Sequence, residues 1–464
     1  MDSLRAALDR VVDIIVAYRD SLPTARVGPV ATRTEVVESL SDTLPEAPAS
    51  IDDVVSELVS AAEPGLMSSA GPRYFGFVVG GSSDAALAAE VLASGWDQMA
   101  FNEVTSPAAL AFEDVAGMWL KQLFGIPASA SAGFVTGAQA ANTVGLTAAR
   151  WSVLHDHGWD VGRYGLDGAP PVRVVVGAER HATIDRSVRL LGFGENAIEE
   201  VPVRSDGAMD AAALPAILAA GSRGPVVVCA QAGNVNSGAF DDLVAIADAA
   251  RDYGAWVHVD GAFGLWAAAS PRKRRLVEGI ELADSWGCDG HKWLNVPYDS
   301  GYAFCSKPEI HATAMGYTAS YLTGQDAGRV FGGGDFVPES SRRARGFATW
   351  AALRSLGQSG VEDLVDRCCE LAVRFATGLD SIEGIDVVNE VILNQVLVRV
   401  GDAETTDRIA QQIQQDGTAW MSATTWQGER LLRISVSNWS TTEDDVDLSI
   451  QAIEKARVSV AAYK

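Results

Sequence analysis

The sequence predicts an α/β fold in which helices cover both faces of a mostly parallel sheet. Three short β-branched runs, at 172–176, 226–229 and 256–259, are predicted to be buried strands, because strands covered on both faces are continuously apolar. Helical patterns at 241–253 and after Ala138 alternate with these runs, which is typical of a parallel sheet. Ligands of such sheets bind beyond the carboxyl ends of the strands, so residues that follow each strand are the first site candidates.

The length of 464 residues exceeds what one core usually organises. We expect an N-terminal helical segment, a large cofactor-binding domain and a smaller C-terminal α+β domain, at residues 1–65, 66–345 and 346–464. The last part shows a long helical pattern at 349–379, followed by short strands at 395–400 and 432–436. The smaller domain is therefore predicted to combine helices with a separate sheet.

The first 24 residues form a predicted amphipathic helix, and a second helix is expected at 51–62. The apolar positions of the first helix recur every three or four residues, at Leu4, Leu8, Val11, Ile15 and Tyr18. Such a stripe packs either on its own domain or on a second subunit, and the pattern leaves both interpretations open.

The composition excludes several classes of partner. A formal net charge of -24 argues against nucleic acid, whose binding requires a surplus of Lys and Arg. No apolar run reaches the roughly 18 residues of a membrane span, and charged residues interrupt the first twenty positions, so we expect a cytoplasmic protein. The five cysteines show no CxxC spacing, which predicts reduced thiols and no metal site.

Residues at the predicted strand ends suit the parts of a pyridoxal phosphate molecule. The turn Gly137-Ala138-Gln139 opens a helix, where backbone N–H groups and the positive helix end favour a phosphate. Asp260 ends an apolar strand, where a protonated pyridine nitrogen would offset the desolvation of its carboxylate. Ala262 points the same way as Asp260 and could cover one ring face, and His181 could cover the other.

Lys292 is the candidate for covalent attachment of the cofactor aldehyde. It lies between His291 and Trp293 in a stretch that is poor in charge. We expect an apolar pocket there, which would favour the neutral amine that condenses with an aldehyde.

The run at 283–301, which contains the residues Asp289-Gly290-His291-Lys292-Trp293, resembles the cofactor-attachment segment of the group II pyridoxal-phosphate-dependent amino-acid decarboxylases. That family includes the aromatic-L-amino-acid, histidine and glutamate decarboxylases. Supporting matches occur in family order at 71–77, Ser106-Pro107 with Glu113, 133–142, His181, 257–264 and 338–343.

The resemblance implies the PLP-dependent transferase fold type I and a homodimer with active sites at the subunit interface. It also implies roles for individual residues. Lys292 would bind the cofactor aldehyde, Asp260 the pyridine nitrogen, and His181 the ring face. Ala138 and Gln139 would lie at the phosphate, with His291 beside them.

Three positions depart from the family pattern. Residues 233–236 read Gly-Asn-Val-Asn where the family usually has Gly-Thr-Thr, although Asn234 could bond the cofactor or the substrate carboxylate. Gly71 stands where many members have His. Phe331 aligns with a loop tyrosine that helps to deliver a proton to the substrate α-carbon, and a phenyl ring cannot donate one.

The leading expectation is decarboxylation of an L-amino acid to an amine and CO2. Tyr74, Phe75 and Phe77 favour an apolar or aromatic substrate, whereas Arg73 leaves an acidic one open. The alternatives are aldehyde-forming decarboxylation with deamination, carbon–carbon lyase chemistry, transamination, and a catalytically silent protein that binds pyridoxal phosphate.

Overall fold

The computed structural model describes residues 2–40, 42–221, 224–316 and 332–462. Its helices are α1 (Asp2–Ser21), α2 (Arg33–Ser39), α3 (Ile51–Ala62), α4 (Asp84–Trp96), α5 (Pro107–Phe124), α6 (Ala138–His155), α7 (Val161–Tyr164), α8 (Ala182–Leu190), α9 (Leu214–Ala220), α10 (Leu243–Arg251), α11 (Pro308–Met315), α12 (Gly346–Asp380), α13 (Ala403–Asp416) and α14 (Glu443–Ala462). The long predicted helix is α12, which is interrupted at Gly357, where φ is 63°.

Seven strands form the large sheet, namely β1 (Ser131–Val135), β2 (Arg173–Gly177), β3 (Ile198–Val201), β4 (Val226–Gln231), β5 (Trp256–Asp260), β6 (Ser285–Asp289) and β7 (Gly301–Cys305). Their order across the sheet is β1-β7-β6-β5-β4-β2-β3. Strand β7 runs antiparallel to both of its neighbours, and the pairs from β6 to β3 are parallel. The predicted mostly parallel sheet is confirmed.

The β-branched runs form strands because helices cover them. Val174 and Val176 of β2 and Val227 of β4 are fully buried, and they pack in one core with Leu146 of α6 and Val188 of α8. Complete burial of an aliphatic side chain of this size contributes about 1.5–3 kcal/mol. This core fixes the sheet that carries the candidate site at its carboxyl edge.

The register of β1, β7 and β6 places residues that are distant in the sequence side by side. Gly301, the first residue of β7, lies opposite Val135 at the end of β1 and opposite Asp289 at the end of β6. A Cβ on Gly301 would lie 2.4 Å from the Cα of Gly137, so glycine is needed for this close passage. The start of α6 and the turn after β6 therefore meet at one edge.

A second sheet contains β8 (Asp386–Val387), β9 (Gln395–Arg399), β10 (Ser422–Trp426) and β11 (Glu429–Ser435), in the order β10-β11-β9-β8. The chain divides into two compact units. One contains Met1–Val79, Arg374–Val388 and Leu397–Lys464, and the other contains Gly80–Val373 and Asn389–Val396. The division at residues 65 and 345 stays a prediction. In the compact units, the N-terminal helices belong with the C-terminal segments.

Helix α1 spans most of the predicted N-terminal helix, and α3 matches the second one. Arg10 of α1 donates to the backbone oxygen of Asp52 at 3.3 Å. The stripe is only partly covered, because Leu4 and Leu8 remain 57% and 51% exposed. In the part of the chain that the structure describes, no helix is both long and apolar enough to cross a membrane.

Candidate active site

The turn after β6 gathers ionisable side chains around one carboxylate. Asp289, the last residue of β6, is buried, and its Oδ2 lies 3.0 Å from the Nζ of Lys292. Its Oδ1 lies 3.2 Å from the Nε2 of His291. A buried carboxylate needs such partners to offset its desolvation. Asp289 therefore fixes the positions of the lysine and the histidine.

The first turn of α6 donates to the same carboxylate. The backbone N–H of Ala138 donates to Asp289 Oδ1 at 2.5 Å, so the positive end of α6 faces this group. A Cβ on Gly137 would lie 2.8 Å from His291 Cε1 and 3.0 Å from Asp289 Oδ1, which leaves no room for a side chain. The structure thus brings Gly137, Ala138, His291 and Lys292 together around Asp289.

The hydrogen bonds of His291 fit a neutral imidazole with its proton on Nε2. Its Nδ1 accepts a hydrogen bond from the backbone N–H of Ser300 at 3.2 Å, which leaves Nε2 to donate to Asp289. Burial lowers the pKa of His291, although the charge of Asp289 opposes that shift. The ring stacks on Tyr298 with a centroid distance of 4.4 Å. His291 is therefore held rigidly beside the lysine.

The predicted apolar pocket around Lys292 is wrong. The amine pairs with Asp289, which precedes it by three residues and shares the turn. The ring of Phe263 also lies near the amine, with its centroid 5.9 Å from Nζ. The main chain of Lys292 is packed closely as well, since a Cβ on Gly80 would lie 1.6 Å from its carbonyl oxygen. Charge pairing and close packing thus position the lysine.

Asp260 lies at the end of β5, opposite Gln231 of β4 and Gly287 of β6. Its side chain is buried, and Oδ1 accepts from the backbone N–H of Ala262 at 3.3 Å. The carbonyl of Ala262 in turn accepts from the backbone N–H of Asp289 at 2.9 Å. Asp260 and Ala262 are therefore connected to the turn that carries Lys292.

His181 precedes α8 and caps its first turn. Its Nδ1 accepts from the backbone N–H of Thr183 at 3.3 Å and lies 2.8 Å from Thr183 Oγ1. Gln139 of α6 donates to the backbone oxygen of Thr183 at 3.3 Å and to Ser187 Oγ at 3.0 Å. The side chain of Gln139 thus binds α8, and its contact with a phosphate stays a prediction.

Asn234 holds the loop after β4. Its Nδ2 donates to the backbone oxygen of Glu179 at 2.9 Å, and its Oδ1 accepts from the backbone N–H groups of Asn236 and Ser237 at 2.9 and 3.2 Å. Both ends of the amide are therefore used by the backbone. In this structure the side chain supports the segment that leads to His181. A hydrogen bond from Asn234 to the cofactor or substrate stays a prediction.

The guanidinium of Arg73 is also used by the main chain. Nη1 donates to the backbone oxygen of Thr418 at 2.7 Å, and Nη2 donates to those of Pro23 and Ala25 at 3.1 and 3.0 Å. The carboxylate of Asp445 lies 3.7 Å away. These contacts remove the sequence argument for an acidic substrate.

Two of the aromatic residues that follow Arg73 pack on Trp420, and the third packs on another ring. Tyr74 stacks on Trp420 with a centroid distance of 4.8 Å, and Phe77 lies 5.4 Å from the same ring. Phe75 is buried against Phe375. Of the three predicted substrate-side aromatics, Phe77 alone is exposed.

The sequence analysis assigned no role to Asp289, Asn142 or Thr183. Asp289 could have been found, because it ends a buried strand in the same run as Lys292. Asn142 and Thr183 carry no such signal, since a polar residue in the first turns of a helix is common. Their part in the site depends on which helices lie side by side. Phe331 lies outside the residues that the structure describes.

The residues at this edge fit pyridoxal phosphate. Lys292 offers a primary amine for the aldehyde, and Asp260 offers a buried carboxylate for the pyridine nitrogen. The first turn of α6 brings the positive end of a helix to this edge, which suits a phosphate, and its Ala138 N–H donates to Asp289 in this structure. The amine, the carboxylate and the helix N-terminus at this sheet edge are the chemical groups that pyridoxal phosphate requires, and the roles of the individual residues stay predictions.

Comparison with known proteins agrees with this assignment. Residues 34–400 match the model of the pyridoxal-dependent decarboxylase conserved domain. The chain belongs to the pyridoxal-dependent decarboxylase family. It is a PLP-dependent amino-acid decarboxylase with the type I fold, as predicted from the sequence.

Individual relatives cover nearly the whole chain. Tryptophan decarboxylase 1 of Oryza sativa is 28% identical over 98% of this chain and 93% of its own length. The 4-hydroxyphenylacetaldehyde synthase of Rhodiola rosea is 24% identical over 97% of this chain and 94% of its own. The crystal structure of Oryza sativa TDC with PLP and tryptamine superimposes with a TM-score of 0.91 at 27% identity, and covers 99% of this chain and 98% of that one.

Proposed function

We propose that this chain decarboxylates an aromatic L-amino acid to the corresponding amine and CO2. The observation that carries the proposal is the joined pair of strand ends. Asp260 and Ala262, at the end of β5 and just after it, are connected to Asp289 and Lys292, at the end of β6 and just after it. The similarity to tryptophan decarboxylase 1 of Oryza sativa supports an aromatic substrate.

The residues of the site divide the work. When bound, pyridoxal phosphate supplies a ring that accepts the electrons released at the substrate α-carbon. Lys292 would hold the cofactor aldehyde and yield its place to the substrate amine, while Asp260 would keep the ring nitrogen protonated. Ala138 and His291 would lie at the phosphate, and His181 would cover one ring face.

The surroundings of Arg73 favour an aromatic over an acidic substrate. Backbone oxygens and Asp445 surround its guanidinium, so it would have to give up these bonds to pair with a substrate carboxylate. Phe77 is 56% exposed, and its contact with a substrate stays a prediction from the sequence.

A substrate panel tests the proposal. Purified holoenzyme is incubated separately with tryptophan, tyrosine, phenylalanine, histidine and glutamate, and CO2, amine, aldehyde and ammonia are measured, with Lys292→Ala as the blank. We expect an aromatic amino acid to give the highest kcat/KM, with one amine released per CO2. Turnover confined to glutamate, or ammonia without CO2, would contradict the proposal.

Aldehyde formation is a second candidate function, supported by the similarity to 4-hydroxyphenylacetaldehyde synthase and by Phe331 in the sequence. A phenyl ring cannot protonate the substrate α-carbon, which gives oxygen time to compete. The amino acid, O2 and water would then yield aldehyde, CO2, ammonia and hydrogen peroxide. Phe331→Tyr is expected to raise the amine-to-aldehyde ratio. Equal product ratios in the two proteins, with and without oxygen, would show that Phe331 does not determine the product.

We further propose a homodimer that uses the exposed side of α1. Leu8 and Val12 are 51% and 50% exposed, and the cost of leaving such side chains in water favours a protein partner. The double variant Leu8→Glu/Val12→Lys is expected to weaken self-association in sedimentation velocity, while Leu190→Glu, at another exposed leucine, is not. A monomeric wild type, or a fully dimeric double variant at low concentration, would contradict this interface.

The five cysteines support the cytoplasm as the compartment. All five are buried and form no disulfide within the described residues, which suits a reducing environment. Cell fractionation with an antibody against the chain tests the proposal, and recovery in a secreted or periplasmic fraction would contradict it.

A further inference from the structure

A row of hydrogen bonds connects the interior of the large sheet to His181. It begins at Trp256 Nε1, which donates to Ser285 Oγ at 2.9 Å. Ser285 Oγ lies 2.8 Å from His258 Nδ1, and His258 Nε2 lies 3.1 Å from Asn142 Oδ1. Asn142 Nδ2 donates to Thr183 Oγ1 at 3.4 Å, and Thr183 Oγ1 lies 2.8 Å from His181 Nδ1.

The direction of each proton in this row follows from the oxygen of Asn142. An amide oxygen can only accept, so His258 carries its proton on Nε2 and donates to Asn142 Oδ1. Nδ1 of the neutral ring is then bare and accepts from Ser285, whose oxygen accepts from the indole N–H of Trp256. Burial lowers the pKa of His258 to about 4, which keeps this imidazole neutral near pH 7.

The far end of the row gives the same direction independently. The backbone N–H of Thr183 donates to His181 Nδ1 at 3.3 Å, so this nitrogen carries no proton in the neutral ring. The hydroxyl of Thr183 accepts from Asn142 and donates its proton to the same Nδ1. The proton of neutral His181 must therefore be on Nε2.

Two glycines leave room for the row. A Cβ on Gly145 of α6 would lie 2.7 Å from His258 Cε1, and a Cβ on Gly287 of β6 would lie 2.5 Å from Asn142 Oδ1. His258 and Asn142 have no exposed surface, so water does not compete for their bonds. The inner part of the row, at His258 and Asn142, is thus closely packed and protected from solvent.

We propose that His258, Asn142 and Thr183 are positioning residues that hold His181 as the tautomer with its proton on Nε2. They act through His181, whose ring would cover the cofactor, and they determine which of its nitrogens can donate. The proposal concerns this chain's own residues and does not depend on which amino acid is the substrate.

Thr183→Val tests the proposal, because valine keeps the shape of the side chain and removes the hydroxyl. The holoenzyme is labelled with ¹⁵N-histidine, and the ring signals of His181 are assigned from their loss in His181→Asn. We expect the wild type to show protonated Nε2 and bare Nδ1. In Thr183→Val only the longer bond from the backbone N–H, at 3.3 Å, remains on Nδ1, so part of the protein should carry the His181 proton on Nδ1. Thr183→Ser should restore the wild-type pattern.

Thr147→Val is the matched control, since the hydroxyl of this half-buried threonine on α6 donates to the backbone oxygen of Thr143 within its own helix. It should leave both the spectrum and turnover unchanged. With whichever substrate the panel identifies, Thr183→Val should lower kcat roughly five- to tenfold, the effect of one lost hydrogen bond, with KM changed less.

Two results would overturn the proposal. One is a wild-type His181 that carries its proton on Nδ1, and the other is a Thr183→Val protein with the wild-type tautomer. If Thr183→Val does not fold, Thr183→Ala replaces it with the same expected spectrum. These outcomes are independent of the substrate panel, because the tautomer is read without turnover.

Discussion

The ends of β4 and β6 lie on the same edge of one sheet, yet they use their polar residues differently. After β6, the side chains of Asp289, His291 and Lys292 face one another. After β4, both ends of the Asn234 amide bond the main chain. The turn after β6 therefore presents ionisable groups to one another, whereas the side chain after β4 holds a loop in place.

A polar residue that follows a strand is therefore only a candidate for ligand binding. Its hydrogen-bond partners decide whether it serves the site or the loop. An amide can satisfy several backbone groups at once, so a loop readily uses it as a scaffold. A lysine has three donors and no acceptor, and the nearest partner for Lys292 is a side chain that shares its turn. We therefore expect substitutions at the two strand ends to have different consequences.

The largest expected effect is that of Lys292→Ala at the end of β6. Only a primary amine can form the covalent link to the cofactor aldehyde, so turnover and the visible absorbance of the linked cofactor should both disappear. The fold should persist, as measured by circular dichroism and thermal unfolding. Full activity in this variant would remove Lys292 from the reaction.

Asp260→Asn should produce the next largest loss. The amide preserves the shape of the side chain but cannot keep the pyridine nitrogen protonated, so kcat should fall by several orders of magnitude while the cofactor stays bound. His181→Ala should weaken cofactor retention more mildly, because stacking contributes about 1 kcal/mol. Near-normal turnover in Asp260→Asn would show that Asp260 does not act on the cofactor.

Asn234→Ala should instead reduce stability. The backbone groups of Glu179, Asn236 and Ser237 would lose their partner, at a cost of about 1–3 kcal/mol in the free energy of unfolding. Turnover by the folded protein should stay closer to the wild type than in Asp260→Asn. Urea denaturation and steady-state kinetics measure the two effects. A stable variant that no longer turns over would show that Asn234 binds substrate or cofactor directly.

The smallest effect is expected at the opposite edge of the sheet, where His311 is buried beside Ser131 at the start of β1. Burial lowers the pKa of His311 to about 4, so the unfolded chain takes up the proton first as the pH falls below the usual value. The free energy of unfolding that is linked to His311 therefore falls between about pH 6.5 and pH 4. The loss reaches about 1 kcal/mol at pH 5.5.

His311→Gln should remove this part of the pH dependence. The difference in unfolding free energy between variant and wild type, followed by urea denaturation from pH 7.5 to pH 5.5, should shift in favour of the variant as the pH falls. Because the comparison is a difference, other titrating groups such as Asp241 cancel from it. A difference that does not change with pH would contradict the buried, neutral state of His311.

Much of the fold could be predicted from the sequence because its signals are local. Residues 172–176, 226–229 and 256–259 alternate with helical patterns, and each of these runs became a strand of the parallel series. The C-terminal segment shows its long helix in the same way, although the interruption at Gly357 was not predicted. How the N-terminal helices group with the C-terminal segments depends on contacts between residues far apart in the chain.

The site could be predicted only in part. The sequence marked Lys292, Asp260 and His181, because strand ends and motif spacing are visible in it. It could not show that Asp289 pairs with the lysine, which depends on the conformation of one turn. It could not show that Arg73 is surrounded by backbone oxygens either, because its partners are distant in sequence.

The lysine to which the cofactor is attached identifies the catalytic end of the sheet. The holoenzyme is reduced with borohydride, digested and examined by mass spectrometry to locate the pyridoxyl group. We predict that the label lies on the peptide that contains Lys292 and is absent from the Lys292→Ala protein. A label on another lysine, such as Lys121 or Lys307, would contradict the assignment of the β6 turn as the catalytic end of the sheet.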